Sequence, residues 1–235
     1  MESPWLLPAV PKAELVITAL DKADDRARDP SEEPEPIPTG TPSVEATDQP
    51  GSTFAVALAT AGGIGFLPLA PGTFGALLGV ILFLGMPRMG TGLYLLSVAA
   101  LCALGVWASD MAERRFGKSD DGRIVIDEVV GQLLALTPLV VLSGIDALAL
   151  RPQWTANPDQ GAIVWFSLVV TAFVAFRVLD ISKPGAVGWA ERRFKGGVGV
   201  MVDDVVAGVL AAVVVTVPAY VAVIHRLQSS AGLPG

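Results

Sequence analysis

Five acidic side chains stand at the edges of apolar segments, where carboxylates are unusual. They are Asp127, Glu128, Asp180, Asp203 and Asp204. Carboxylates at a membrane boundary are costly unless they are solvated, paired or bound to a cation. Solvated or capping acids at helix starts are the competing interpretation. Two separate apolar segments each open with an acidic pair, and this repetition favours a shared site. Because neighbouring positions on a helix diverge by about 100°, we expect at most one of Asp127 and Glu128 to point straight into it.

The other reactive residue types indicate which chemistry such a site could perform. Lys183 and Arg123 lie close to the acids in the sequence and could hold phosphate oxygens. The chain has one cysteine, Cys102, and one histidine, His225, which excludes metal sites built from several such ligands. Carboxylate oxygens alone suit Mg²⁺, which can neutralise a phosphoryl group and orient an attacking water. The pattern predicts metal-assisted phosphoryl chemistry.

Two glycine-rich segments accompany the acids. The first, GGIGFLPLAPGTFG at Gly62–Gly75, mixes glycine with proline, which forbids a regular helix and exposes backbone N–H groups. Thr73 leads from it into a helix whose amino terminus could bind an anion; a membrane-entry turn is the equal alternative. The second, Gly196–Gly199, is predicted to be a turn before the second acidic pair.

Helices must position these side chains, because apolar runs dominate the chain after residue 50. The sequence is 52% hydrophobic and 17% charged, whereas soluble domains average about 25% charged residues. The apolar segments cover 54–86, 91–109, 129–145, 162–176 and 205–224. A membrane span needs about 20 apolar residues, and about 17 are tolerable. We predict an all-α, polytopic helical bundle with about five apolar helices, the first of them broken. A soluble bundle with unusually apolar helices is the alternative.

Basic residues cluster in alternate loops of this bundle. The loop after the second segment holds Arg114, Arg115, Lys118 and Arg123, and the loop after the fourth holds Lys183, Arg192, Arg193 and Lys195. The opposite connections hold Arg88, Arg151 and Arg226. The positive-inside rule therefore predicts a cytoplasmic amino terminus, an external carboxyl terminus and a candidate site that faces the cytoplasm.

The first 50 residues differ in composition from the rest of the chain. They hold 11 acidic and 4 basic side chains and 9 of the 18 prolines, so the net charge of −7 belongs to them. We predict a disordered acidic tail at 1–50, a helical catalytic domain at 51–226 and a short flexible tail at 227–235. No basic stripe indicates nucleic-acid binding. No residue pattern indicates a particular oligomeric state.

Four motifs follow one another along the chain: LPLAPGTFG at 67–75, IVIDEVVGQ at 124–132, LDISKP at 179–184 and KGGVGVMVDDVVAG at 195–208. In sequence and in order they resemble the motifs of the phosphatidylglycerophosphatase A family. The chain departs from the family at Ala76, where serine is common, and at Gly185–Val187, where the family has a proline-rich run. These departures bear on contacts with the lipid headgroup and leave the carboxylates in place.

The resemblance implies a Mg²⁺-dependent hydrolase of a bacterial inner membrane. Its substrate would be a phospholipid, phosphatidylglycerophosphate, and its product phosphatidylglycerol. The family's acidic motif positions, with catalytic and metal-binding roles, correspond to Asp127, Glu128, Asp180, Asp203 and Asp204. The family's lysine corresponds to Lys183 and its proline-glycine-threonine turn to Thr73, and with Arg123 these form the expected substrate-binding set. Which acid binds metal and which activates water stays open.

Two other functions fit the same residues. One is a phosphatase for another lipid or soluble phosphomonoester. The other is a small membrane transporter or scaffold whose intramembrane acids carry ions. The glycine-rich turns and Lys183 count against the second, because a proton path needs neither.

Overall fold

The computed structural model describes residues 50–86, 90–145 and 160–230, and their regular structure is helical throughout. The elements are α1 (Pro50–Ala59), a 3₁₀ segment (Ala61–Phe66), α2 (Pro71–Gly85), α3 (Thr91–Phe116), α4 (Ile126–Ile145), α5 (Gln160–Ser182), α6 (Ala186–Arg193) and α7 (Gly196–Ser230). The all-α prediction is confirmed. The predicted acidic tail, the connections around Arg88 and Arg151, the side chain of His225 and the last residues lie outside the described residues. Helix α7 includes the first residues of the predicted carboxyl-terminal tail.

The first apolar segment is broken where its glycines predict. Gly62 and Gly63 adopt positive φ angles of 71° and 103°, which a residue with a side chain rarely adopts, and they end the helical path of α1. The chain then packs on the segment before α4. A side chain at Gly65 would collide with the Arg123 carbonyl, and the Val125 N–H donates to the Ala59 carbonyl oxygen at 2.9 Å.

Helix α4 is the centre of the bundle. It packs most extensively on α7 and next on α2, and it also contacts α3 and α5. Its apolar side chains are buried among these neighbours, including Val129, Val130, Leu133, Leu136 and Leu139. The Tyr94 hydroxyl of α3 donates a hydrogen bond of 2.6 Å to the Leu133 carbonyl. The third predicted apolar segment is therefore the interior helix.

Two glycines let the backbones of α4 and α7 touch. A Cβ atom on Gly208 would collide with the Gly131 carbonyl oxygen, and one on Gly131 would lie 2.8 Å from the Asp204 carbonyl oxygen. Asp127 and Asp204 each lie four residues before one of these glycines, on the same helical face. The close crossing therefore brings the two aspartates toward each other.

Helix α2 approaches α4 along a second set of glycines. A Cβ atom on Gly75 would lie 2.9 Å from the Val125 carbonyl oxygen, and one on Gly79 would lie 2.8 Å from the Cβ atom of Gln132. Gly72, one turn earlier, is in contact with the Glu128 carboxylate. These small residues place the first turn of α2 beside the first turn of α4.

Helix α7 begins earlier than its apolar run, and this corrects one prediction. The predicted turn Gly196–Gly199 is the first turn of the helix, not a loop. Gly197 fits against the Val106 carbonyl of α3, which only a residue without a side chain allows. Asp203 and Asp204 consequently lie inside a continuous helix, so they are not capping residues at its start.

The outer surface of the bundle is apolar. By length and composition, three of the described helices could cross a membrane: Thr91–Phe116, Ala162–Ser182 and Gly196–Ile224. Helix α2 is a shorter apolar helix. Large apolar side chains point outward from these helices, among them Leu96, Phe166, Val178, Val213 and Val217. Soluble monomers rarely expose so much contiguous apolar surface, so the structure favours the membrane bundle over the soluble one.

Candidate active site

Three carboxylates from two helices converge at the α4–α7 crossing. One oxygen atom each of Asp127, Glu128 and Asp204 lies within 4.8 Å of the others. Asp127 and Glu128 come from the first turn of α4, and the buried Asp204 comes from inside α7. We call these three residues the carboxylate cluster. At most one of the adjacent residues Asp127 and Glu128 was expected to point straight into the site, whereas both contribute an oxygen atom to the cluster.

Two oxygen atoms of the carboxylate cluster need a partner that the described residues do not supply. Asp127 Oδ1 and Glu128 Oε2 are shielded from solvent and make no hydrogen bond within the described part of the chain. Buried anionic oxygens without donors cost several kcal/mol or force the group to take up a proton. The donor set is all oxygen and anionic, which is the kind that Mg²⁺ prefers. These three residues could therefore hold a divalent cation.

Asp180 lies at the edge of the carboxylate cluster and is paired with an arginine. Arg177 Nη1 lies 2.5 Å from Asp180 Oδ2 and 4.0 Å from Glu128 Oε1. Asp180 is also close enough to interact electrostatically with Asp204. The sequence analysis did not single out Arg177. The sequence does contain a pattern that points to Arg177, because an arginine three residues before an aspartate in an apolar helix is unusual and suggests an internal ion pair.

Lys183 and Asp203 form a second group beside the first. Lys183 Nζ donates to Glu191 Oε1 at 2.7 Å and to Asp203 Oδ2 at 3.1 Å. Partial burial alone would lower the pKa of Lys183, but these two carboxylates outweigh it and hold that pKa above its ordinary value. Asp203 thus bonds to the lysine although its neighbour Asp204 joins the carboxylate cluster. The predicted metal-binding role of Asp203 stays a prediction.

A cavity of about 120 Å³ adjoins this second group. Carboxylates from three helices and one loop line it, together with Lys195 and the first turns of α7. The lining acids are Glu113, Asp120, Glu191 and Asp203. One carboxylate oxygen of Glu113 already has a donor, since its Oε1 accepts a hydrogen bond of 2.6 Å from the Asp120 N–H. The cavity lies next to Lys183, because the two partners of this lysine, Glu191 and Asp203, belong to its lining.

Arg123 is engaged within its own loop. Its Nε and Nη2 atoms donate to the two carboxylate oxygens of Asp121 at 2.7 and 2.9 Å. Its guanidinium lies 3.8 Å from the centre of the Phe116 ring. The hydrogen bond from Arg123 lowers the pKa of Asp121 below its ordinary value, against the opposing effect of burial. The substrate-binding role of Arg123 stays a prediction, as the structure shows it bound to Asp121.

Thr73 lies in the first turn of α2, next to the carboxylate cluster. Its N–H donates to the Ala70 carbonyl at 2.9 Å, and its side chain is half-buried. Ala70 adopts a left-handed conformation with φ of 44°, which turns the chain abruptly into α2. The adjacent Gly72 touches the Glu128 carboxylate. The proline-glycine-threonine turn therefore borders the site, and a contact from Thr73 to substrate stays a prediction.

The family follows from comparison with known proteins. Residues 57–219 match the family model described as phosphatidylglycerophosphatase A. The chain belongs to the phosphatidylglycerophosphatase A family. The matched range contains all four motifs and the whole carboxylate cluster, so the resemblance noted in the sequence is confirmed. Membership in a family of phosphoric monoester hydrolases favours an enzyme over a transporter or scaffold.

Individual relatives agree with this assignment. Phosphatidylglycerophosphatase A of Escherichia coli is 33% identical over 155 residues, 66% of this chain and 77% of that protein. The Haemophilus influenzae protein of the same name is 31% identical over 159 residues, 67% of this chain and 84% of that protein. A Bacteroides thetaiotaomicron protein with the provisional name phosphatidylinositol-3-phosphatase is 38% identical over 175 residues, 72% of this chain and 96% of that protein. No solved structure matches the chain.

Proposed function

We propose that this protein hydrolyses the terminal phosphate of phosphatidylglycerophosphate to give phosphatidylglycerol, with Mg²⁺ as its cofactor. One observation carries the metal-dependent chemistry: Asp127, Glu128 and Asp204 converge, and two of their buried oxygens lack a donor. The substrate is supported by the family and by the names of the Escherichia coli and Haemophilus influenzae relatives.

The carboxylate cluster would hold the cation. Bound there, Mg²⁺ supplies positive charge against the phosphoryl oxygens and lowers the pKa of a coordinated water. The three carboxylates give an anionic, oxygen-only site, and the glycine contacts between α4 and α7 fix their separation. A bound cation would also satisfy Asp127 Oδ1 and Glu128 Oε2, which no described side chain or backbone group does.

Lys183 is suited to bind the phosphate of the substrate. Its ammonium group stays protonated, because Glu191 and Asp203 surround it. Glu191 is 40% exposed, so it can give up this hydrogen bond to an incoming phosphate oxygen, while the more buried Asp203 keeps the lysine oriented. The cavity beside the pair leaves room for polar atoms of the headgroup.

The site belongs at the cytoplasmic face of a bacterial inner membrane in this proposal. The starts of α2, α4 and α7 and the end of α5 all contribute to it, so it occupies one end of the apolar bundle. The same end carries the loops rich in lysine and arginine, which the positive-inside rule places in the cytoplasm. A lipid substrate can reach such a position from the inner leaflet.

Phosphate release from phosphatidylglycerophosphate in mixed micelles tests the proposal directly. We expect the purified protein to release phosphate with Mg²⁺ and to stop after treatment with a chelator. The Asp127→Asn and Asp204→Asn variants should each lose activity about 100-fold or more, since each removes a charged ligand. The Arg114→Met variant is the matched control, because Arg114 forms an exposed pair with Asp110. Full activity without divalent cations, or in Asp204→Asn, would contradict the metal site.

A second candidate function changes only the substrate. The Bacteroides thetaiotaomicron relative, at 38% identity, has a name that refers to an inositol lipid phosphate. The same carboxylate cluster and Lys183 could serve any lipid phosphomonoester. Comparing kcat/KM for phosphatidylglycerophosphate, phosphatidylinositol 3-phosphate and a soluble phosphomonoester separates the two candidates. A preference for the inositol lipid would replace the first substrate with the second.

A further inference from the structure

Arg177 is a buried cation among the acids of the site. Its side chain is 15% exposed and lies in the last turns of α5. Nη1 bonds Asp180 at 2.5 Å and lies 4.0 Å from Glu128 Oε1. Its Nε atom is shielded from solvent and has no hydrogen-bond partner among the described residues. The guanidinium therefore faces carboxylates on two elements, Glu128 on α4 and Asp180 on α5.

The charges around Arg177 indicate its role. Four carboxylates lie near Arg177 or interact with one another beside it: the three of the carboxylate cluster and Asp180. Arginine keeps its charge in buried surroundings and forms planar pairs with carboxylates. A carboxylate held at 2.5 Å by arginine has one oxygen committed and its charge compensated. The three carboxylates of the cluster have no cation among the described residues as close to them as Arg177 is to Asp180.

The glycine before Thr73 preserves this arrangement. A Cβ atom on Gly72 would collide with Glu128 Oε1 and would lie 3.3 Å from Arg177 Nη1. The first turn of α2 thus closes over the pair formed by Glu128 and Arg177. Glu128 is confined between the α2 backbone and the guanidinium, which limits the rotamers that its side chain can adopt.

We propose that Arg177 is a positioning residue that sorts the four acids into two roles. It binds Asp180 and so withholds it from the cation, and it holds Glu128 toward Asp127 and Asp204. The cation is then bound by three carboxylates, while Asp180 stays outside this set and acts through Arg177 and through its interaction with Asp204. This inference rests on the proposed metal-dependent function, and it revises the sequence-based expectation that Asp180 is a ligand.

Cation binding separates this inference from a purely structural role. Binding of Mn²⁺ to the full chain in detergent, measured from the electron paramagnetic resonance signal of the free ion, reports on the site without turnover. We expect Asp204→Asn to weaken Mn²⁺ binding about tenfold or more. Asp180→Asn should weaken it only a few-fold, since it removes a charge but no ligand. Arg177→Met should bind Mn²⁺ as tightly as the wild type or more tightly, because the loss of a neighbouring positive charge and the release of Asp180 offset the loosened position of Glu128.

The variants should rank differently in kcat than in Mn²⁺ affinity. Arg177→Met should lower kcat about tenfold or more, since Glu128 and Asp180 lose their position. Arg177→Lys keeps the charge but not the guanidinium that faces both Asp180 and Glu128, so its kcat should be intermediate. The double variant Arg177→Met with Asp180→Asn restores the charge balance and should return Mn²⁺ affinity to that of the wild type. Arg114→Met, which removes an exposed arginine–aspartate pair, should change neither Mn²⁺ affinity nor kcat.

Two results would overturn the inference. One is an Asp180→Asn variant that loses Mn²⁺ affinity as strongly as Asp204→Asn, which would make Asp180 a ligand. The other is an Arg177→Met variant with wild-type kcat. If Arg177→Met does not fold, as its thermal unfolding would reveal, Asp180→Asn and Arg177→Lys decide the question. A wild-type protein that binds no Mn²⁺ would instead refute the proposed metal site itself.

Discussion

Individual side chains divide the candidate site into an anionic part and a cationic part. The carboxylate cluster lacks nearby donors at two oxygens, while Lys183 has two acidic partners. Asp203 and Asp204 are neighbours in the sequence, yet one belongs to each part. Because successive helical residues diverge by about 100°, an acidic pair on a helix can serve a cation and a lysine at once.

Lys183 should contribute to substrate binding through its charge. We expect Lys183→Met to lower kcat/KM for the lipid phosphate about tenfold or more, since a charged hydrogen bond to phosphate is lost. Lys183→Arg should retain part of the activity. The control is Lys118→Met, which removes an exposed lysine from the loop after α3. Equal losses in both variants would contradict a specific role for Lys183.

The titration of Lys183 gives a related prediction. Its raised pKa means that the ion pairs with Glu191 and Asp203 stabilise the fold below the ordinary lysine pKa of about 10.4. That stabilisation should disappear as the pH rises through the higher folded-state pKa. Thermal unfolding of the wild type and of Lys183→Met should therefore differ at pH 8 and converge in strong alkali. A difference that vanishes below pH 8 would contradict the prediction.

Asp121 provides the opposite titration. Arg123 lowers the pKa of Asp121, so their pair stabilises the fold above the ordinary aspartate pKa of about 3.9. The contribution should be lost as the pH falls through the lower folded-state pKa. We expect Asp121→Asn to unfold at a lower temperature than the wild type at pH 6 and to approach it in strong acid. An unchanged difference at low pH would exclude Asp121 as the cause.

At the scale of elements, glycine contacts determine where the acids meet. Gly131 and Gly208 allow the α4 and α7 backbones to touch, and Gly72, Gly75 and Gly79 bring α2 against α4. Without these glycines, α2 and α7 would have to lie farther from α4, since a Cβ atom at several of these positions would overlap backbone atoms. The glycine-rich character of the motifs thus has a packing role in addition to any role in binding anions.

Gly208→Ala should disrupt the helix crossing. Its Cβ atom would overlap the Gly131 carbonyl, so α7 must shift, and overpacking of this kind costs about 1–3 kcal/mol. Activity and Mn²⁺ binding should fall together, since Asp127 and Asp204 move apart. The control is Gly92→Ala in α3, where nothing lies within 4 Å of the added carbon. That change should be neutral or slightly stabilising. Wild-type activity in Gly208→Ala would refute this account of the crossing.

The molecule as a whole has an apolar outer surface and one polar end, and its orientation in a membrane decides which side of the bilayer the polar end faces. The outward apolar residues of α3, α5 and α7 form a surface that water solvates poorly. The carboxylate cluster, Lys183 and the basic loops share one end. A bilayer around the apolar surface would leave that end at the interface, where a phospholipid phosphate lies.

Cysteine labelling can determine the orientation. In a Cys102→Ala background, Ser119→Cys and Gly90→Cys place single thiols at exposed positions at opposite ends of α3. We expect a membrane-impermeant maleimide to label Gly90→Cys in spheroplasts, but Ser119→Cys only after lysis. The reverse pattern would place the site outside. Recovery of the protein in a detergent-free soluble fraction would favour the soluble bundle instead.

Much of this protein could be predicted from local sequence. The apolar segments predict helices because burial and helix propensity act over short stretches, and the order of the four motifs indicates the family. The acids Asp127, Asp180 and Asp204 stand out because carboxylates beside apolar runs are rare. These features depend on residue type and spacing, which the sequence contains in full.

The partners of each charged residue were decided only by the packing of helices. Asp203 bonds Lys183 and Asp204 joins the carboxylate cluster, although spacing alone makes the two aspartates equivalent. Arg177 reaches Glu128, 49 positions away in the sequence, because α4 and α5 lie side by side. Such contacts depend on helix rotation and on where glycines permit close approach. Both are properties of the folded bundle, so no single segment contains them.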